Sequence, residues 1–301
     1  MRDANVWAAI AIELSNLPQR EGLFSVQYMK PVLHGVAFAV MGTAFLVGCS
    51  SVTELPTPAA AKPALARGFQ HRVFTDMQGK QHPFVIFVPA RYESGSQPPV
   101  MLFLHGAGER GTNNIDPTMV GIGPAIWKRK STFPFVTVIP QCRTGSNWLA
   151  EGPDAKWALA MLRQIEKEFS TDPDRVYLTG LSMGGSGTWS IAAKDPSAWA
   201  AIVPMCSGPD TANAAKFAAA RLPIWNFCGD KDRESTVKAN RTMHEALTMA
   251  GANAKYTEYA GVGHNCWDDA YGTDALYTWL LEQTRARNRS GSLSSTKLTI
   301  R

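Results

Sequence analysis

The sequence predicts an α/β domain built on a mainly parallel central sheet with helices on both faces. Three observations carry that prediction. Short strand-like runs alternate along the chain with segments of helical period. Several runs, such as Val100–His105 and Ala201–Met205, are almost unbroken apolar stretches, as expected of strands covered on both faces. A serine, an acid and a histidine each stand just past the end of such a run, and in an open parallel sheet those ends share one edge. About 235 residues, from 50 to 284, suit one domain with a substantial core.

In chain order, residues 1–28 do not read as folded domain. Met29-Lys30 begins a basic start, Val32 to Val47 is apolar but short for a membrane span, and Leu46-Val47-Gly48-Cys49 spells a lipobox. Residues 1–49 are therefore expected to be a lipoprotein signal peptide, with translation beginning at Met29 and Cys49 carrying the lipid. The competing reading, a buried core helix, has nothing flanking it to pack against. Residues 50–68, rich in Pro, Ala, Ser and Thr, suit a flexible tether. The expected location is the bacterial cell envelope, either periplasmic or anchored to the outer membrane.

The folded domain is expected over 69–284. Strands are predicted at His82–Pro89, Val100–His105, Phe135–Pro140, Val176–Gly180, Ala201–Met205, Ile224–Phe227 and Lys255–Tyr259, with Arg72–Asp76 as an added edge strand. Ala158, Met161, Leu162, Ile165 and Phe169 mark a helix by their spacing. Met243, Leu247 and Ala250 mark another, stopped by Gly251. Leu276, Trp279, Leu280 and Gln283 mark the last. Residues 285–301 hold five basic groups and no acid, and read as a disordered tail. The formal charge of +5 comes from that tail, because the rest of the chain balances. A basic nucleic-acid face is excluded.

The chemistry centres on Gly180-Leu181-Ser182-Met183-Gly184, which follows one predicted strand and leads into a predicted helix. A serine on so sharp a turn needs neighbours without side chains at ±2, and glycines supply that. Its hydroxyl then stands clear of the sheet. A free serine is a poor nucleophile, so a base must take its proton. His264, in Gly261-Val262-Gly263-His264-Asn265-Cys266-Trp267, is that candidate. His71, His82 and His244 read as packing or surface residues, and His105 reads as a support of its own loop. The acid that orients the imidazole comes from Cys228-Gly229-Asp230-Lys231-Asp232, where Asp232 and Asp230 compete, with Glu234, Asp268 and Asp269 behind.

These residues, with Leu104-His105-Gly106-Ala107-Gly108-Glu109-Arg110-Gly111, give the chain its resemblance to the α/β-hydrolase superfamily. It looks most like the esterases grouped with polyhydroxybutyrate depolymerases, feruloyl esterases and predicted peptidases. The likeness covers roughly residues 70–284. It implies the α/β-hydrolase fold and a serine carboxylic-ester hydrolase working through an acyl-enzyme. It favours Asp232 over Asp230, leaving Asp230 as a turn residue. One departure is Cys228-Gly229, where relatives carry His-Gly.

The oxyanion is expected to meet the backbone N–H groups of Met183 and Ala107, with Gly108 the next candidate. Glu109 either contacts substrate or braces the loop. Trp148, Trp189 and Trp267 either line the substrate pocket or pack the core. An exported chain can form disulfides, and Cys228–Cys266 is the expected pair because each lies beside a triad residue. Cys142 and Cys206 read as small apolar groups. With no Cys/His ligand spacing, no metal is expected, and no cofactor is needed. The partners expected are a small or polymeric ester and, through lipid, a membrane.

Three competing functions remain. Gly106 to Gly111 also spells G-x-G-x-x-G, but no helix opens after it and no acid follows at the right distance. A serine peptidase of the same fold is a second alternative. A binding protein that kept the scaffold is the third. Oligomeric state is not readable.

Overall fold

Strands form wherever the apolar runs fall, and helices wherever the apolar residues recur at three and four. The computed structural model describes residues 66–290. In chain order the elements are β1 (Gly68–Thr75), β2 (Gln81–Val88), β3 (Val100–Leu104), α1 (Ile122–Lys128), β4 (Val136–Pro140), α2 (Pro153–Phe169), β5 (Val176–Leu181) and α3 (Met183–Lys194). β6 (Ala201–Met205), α4 (Ala214–Ala219), β7 (Ile224–Gly229), α5 (Glu234–Met249), β8 (Ala254–Tyr259), α6 (Trp267–Gly272), α7 (Asp274–Glu282) and α8 (Arg285–Ser290) follow. Every strand read from the sequence is present. The edge strand is longer than expected, because β1 pairs with β2 along its whole length.

The eight strands lie in the order β1-β2-β4-β3-β5-β6-β7-β8. β2 runs antiparallel to both neighbours, and β4, β3, β5, β6, β7 and β8 are parallel. This is the α/β-hydrolase fold. Alternate residues of each strand enter two separate cores, as a period of two requires. Leu102, Leu104, Val138 and Leu178 face Leu162 and Ile165 of α2, Ile191 of α3 and Leu247 of α5. Met101, Phe103, Tyr177 and Met205 face Ile122 and Ile126 of α1, Tyr271 of α6 and Leu280 of α7. The parallel strands therefore deliver their C-terminal ends to one rim.

The disordered tail expected from residue 285 is corrected at its start. Residues 285–290 form α8, docked on the domain. The Arg285 amide donates to Asp174 O at 2.8 Å and its Nε to Ser197 O at 3.1 Å. Asn288 donates to Ala200 O at 3.0 Å, and Arg289 pairs with Asp174 at 2.8 Å. Composition marked these residues as solvated, yet their donors satisfy carbonyls that loops elsewhere leave open. The expected signal peptide, Cys49, nearly all of the tether and residues 291–301 lie outside the described residues. Among the described residues, no helix is long and apolar enough to cross a membrane.

Candidate active site

Ser182 sits between β5 and α3 with φ 53° and ψ −115°, a backbone state that costs a non-glycine residue about 1–3 kcal/mol. Neighbouring glycines allow it. A Cβ on Gly184 would come within 1.9 Å of Leu104 O, and one on Gly180 within 2.4 Å of Gly184 O. The Ser182 amide donates to Met205 O at 2.9 Å, which fixes the turn against β6.

Asp232 and His264 arrive on loops after β7 and β8. His264 Nε2 lies 2.9 Å from Ser182 Oγ, and His264 Nδ1 lies 2.8 Å from Asp232 Oδ2. The Asp232 side chain is 1% exposed and the His264 side chain 37%, so the carboxylate is sheltered while the ring meets solvent. Asp232 Oδ1 accepts the Arg233 N–H at 2.6 Å. With Nδ1–H donated to the carboxylate, Nε2 presents its lone pair to the serine hydroxyl. Asp230 shapes the turn instead. Its Oδ1 accepts the Gly261 N–H at 2.7 Å, and its own amide donates to Tyr259 O.

The expected Cys228–Cys266 bridge is not formed. All four cysteines from 142 onward are free and buried. The two loops are held together by backbone instead. Lys231 N–H donates to Val262 O at 2.8 Å, and Gly229 packs so tightly that a Cβ there would come within 2.2 Å of Val262 O. A bridge is not needed where the main chains already touch.

The loop after β3 supplies the facing wall. A Cβ on Gly106 would stand 3.7 Å from Ser182 Cβ, so this backbone passes close to that serine. Ala107 and Gly108 are exposed beside it. Met183 opens α3, and the first amides of a helix have no intrahelical acceptor. His105 braces the loop from beneath: its Nε2 accepts the Cys142 N–H at 2.9 Å, and its Nδ1 donates to Gly106 O at 2.6 Å. Burial holds its pKa down to about 4, against the Gly106 contact, so the ring stays neutral.

Glu109 is half-buried, and one carboxylate oxygen is enclosed without a hydrogen-bond partner, near Gly106 and 3.9 Å from His105 Nδ1. Burial raises its pKa, opposed by the Gly106 amide and its own. Gln141, which the sequence did not single out, ties this loop down. Its Nε2 donates to Glu109 O at 2.9 Å, and its Oε1 accepts the Asn114 N–H at 2.7 Å. Nothing in the spacing of a lone glutamine after a strand announces that role.

The three tryptophans divide. Trp148 is a core residue, 1% exposed, and its Nε1 donates to His105 O at 3.0 Å, so of its two readings core packing holds, with support of the loop added. Trp189 lines a groove of about 400 Å³ with Leu149, Ser186, Lys216 and Phe217. Trp267 lines a second, of about 320 Å³, with Met119, Val120, Asn265 and Tyr271, and its ring meets that of His264 edge-on at 5.4 Å.

The dienelactone hydrolase family model matches residues 126–274. A bifunctional acetylxylan esterase/xylanase of Neocallimastix patriciarum is 32% identical over 157 residues, 52% of this chain and 22% of that protein. A poly(3-hydroxyalkanoate) depolymerase C of Paucimonas lemoignei is 33% identical over 91 residues, 26% of this chain and 22% of that protein. The chain thus spans under a quarter of the length of these curated relatives. Among solved structures, a thermostable esterase is 28% identical with a TM-score of 0.65, over 72% of this chain and 63% of that one.

Proposed function

Because the chain is an α/β-hydrolase that matches the dienelactone hydrolase family, we propose that it is a serine carboxylic-ester hydrolase acting through an acyl-enzyme on Ser182. The observation that carries this reading is the continuous hydrogen-bonded run from Ser182 Oγ through the His264 ring to Asp232. Ser182 Oγ attacks the ester carbonyl while His264 Nε2 takes its proton. Asp232 stabilises the imidazolium that results. The amides of Met183 and Ala107 hold the oxyanion, each lowering the barrier by about 3–4 kcal/mol. His264 returns the proton to the departing alcohol, and water then releases the acid by the same steps in reverse.

In this reading the ester's two halves would take the grooves lined by Ser186, one turn along α3 from Ser182, and by Asn265, next to His264. Both are open, which suits an ester displayed on a polymer, and the relatives named for acetylxylan and for polyhydroxyalkanoate point the same way. Ester cleavage is favoured over peptide cleavage because the curated relatives are an acetylxylan esterase and a poly(3-hydroxyalkanoate) depolymerase. Export and anchoring through lipid on Cys49 belong to the same reading. Recovery of the unlipidated protein from a membrane-free extract would remove that part.

A fluorophosphonate probe tests the core of the proposal. Labelling is expected on Ser182, with loss of both labelling and p-nitrophenyl acetate hydrolysis in Ser182→Ala. An unlabelled, inactive wild type would instead favour a binding protein on this scaffold. A panel of p-nitrophenyl chain lengths with methyl ferulate and an acetylated xyloside then ranks the acyl groups.

A further inference from the structure

A proton relay needs a serine, a base and an acid, but a fourth group stands against this one. The Cys206 thiol, an Asp232 carboxylate oxygen and a ring nitrogen of His264 all lie within 4.8 Å of one another. Cys206 follows β6 directly, is 2% exposed, and holds a φ of 49°. Its amide donates to Phe227 O at 2.9 Å, which aims the residue toward the loops that carry Asp232 and His264. Its thiol also interacts with those of Cys228 and Cys266, so the pocket behind the ring is rich in sulfur.

Thiolate, imidazole and carboxylate are the donors that four-coordinate zinc accepts. We infer that Cys206, Asp232 and His264 form a binding site for a thiophilic divalent cation, Zn²⁺ or Cd²⁺, and that its occupation blocks the proton transfer between Ser182 and His264. Bonds of about 2.0–2.3 Å from a tetrahedral ion place its donor atoms about 3.3–3.8 Å apart. Donor pairs out toward 4.8 Å must therefore close by roughly 1 Å or slightly more, while His264 Nδ1 and Asp232 Oδ2, 2.8 Å apart, must open by about 0.5 Å if Nδ1 is the ligand. The His264 ring can supply that movement, since it is part-exposed and rides on the Gly261–Gly263 loop. Water completes the fourth position.

The blockade does not depend on which ring nitrogen binds. A cation on Nε2 occupies the lone pair that would take the serine proton. A cation on Nδ1 forces the remaining ring proton onto Nε2, which then faces Ser182 as a donor. In either case the Cys206 thiol gives up its proton to solvent, and no electron is transferred. Oxygen-seeking ions such as Mg²⁺ and Ca²⁺ gain nothing from a thiolate and are expected to leave the site empty. No ligand spacing in the sequence announces this cluster, because its members come from the ends of β6, β7 and β8.

The binding itself does not rest on the ester-hydrolase reading, although its effect on turnover does. The first measurement therefore uses Ser182→Ala, which retains all three ligands. After treatment with chelator, Cd²⁺ should produce a saturable thiolate-to-cadmium absorption in the ultraviolet at one equivalent. Adding Cys206→Ser, or Cys206→Ala with folding checked by near-ultraviolet circular dichroism, should abolish it. No band in Ser182→Ala, or a band that survives both Cys206 substitutions, overturns the site. The second measurement uses the intact chain. Zn²⁺ should slow p-nitrophenyl acetate hydrolysis, chelator should restore it, and Mg²⁺ should do neither. Cys206→Ser, compared with its own metal-free rate, should need at least tenfold more Zn²⁺, and equal sensitivity overturns the inference. A chain that binds Cd²⁺ but hydrolyses no ester would keep the site and sink the proposed function instead.

Discussion

Two histidines stand just past two strands of one sheet in opposite surroundings. His105, after β3, is fully buried, and both ring nitrogens are used by backbone: the Cys142 N–H on one side and Gly106 O on the other. His264, after β8, is part-exposed, and both its nitrogens meet side chains that can gain or lose a proton. The ring is the same, and so is its place at the rim. Partners decide the outcome. Backbone groups do not ionise at ordinary pH, so they fix one tautomer and make His105 a strut. A hydroxyl and a carboxylate can take part in proton transfer, so under the proposed function His264 is a relay.

The sharpest way to break that contrast is to remove each ring in turn. His264→Gln should lower turnover of p-nitrophenyl acetate by on the order of a million-fold, the loss typical of deleting a serine enzyme's base. His105→Gln keeps an oxygen to accept from Cys142 and an amide to donate to Gly106. It should cost far less, on the order of ten- to a hundredfold, through a looser oxyanion loop. If the two substitutions cost the same, His105 belongs to the chemistry and the contrast fails.

The two aspartates of one turn extend the comparison. Asp232→Asn should lower turnover by about ten-thousand-fold, because an amide cannot hold the Nδ1–H tautomer. Asp230→Asn removes only a carboxylate that accepts the Gly261 amide, and a few-fold loss is expected. Rates measured on both variants decide it. The reverse order would exchange their roles.

This part of the molecule was legible in the sequence for a definite reason. Strand ends are set by apolar runs, and a nucleophile, an acid and a base that each follow such an end must share a rim once the strands are parallel. Glycines at 180 and 184 announced the tight turn for the same reason: no other residue fits. What stayed hidden is contact between loops. The sequence suggested a disulfide to join the acid and histidine turns, yet Gly229 lets the main chains meet directly. Gln141 pins the loop after β3, and Cys206 lies near Asp232 and His264, and neither has any periodicity or spacing that betrays it. Trp148 shows the converse. The sequence left it between pocket wall and core, and only the fold reveals that its N–H is taken by His105 O.

The smallest effect tests the strut itself. Burial lowers the His105 pKa from 6.5 to about 4. The unfolded chain takes up a proton at this ring near the upper value, whereas the folded chain refuses it until the lower. Between the two, acid favours the unfolded state. The stabilisation from a neutral His105 is thus complete above about pH 6.5 and disappears as pH falls through about 4, a difference of about 3 kcal/mol at most. Denaturant midpoints across that interval should fall more steeply in the wild type than in His105→Gln, whose amide does not titrate. Making both measurements on a Ser182→Ala background keeps turnover out of the comparison. Parallel slopes would mean that the ring can accept a proton without leaving its place, and a histidine able to do that beneath the oxyanion loop would be a second relay rather than a strut.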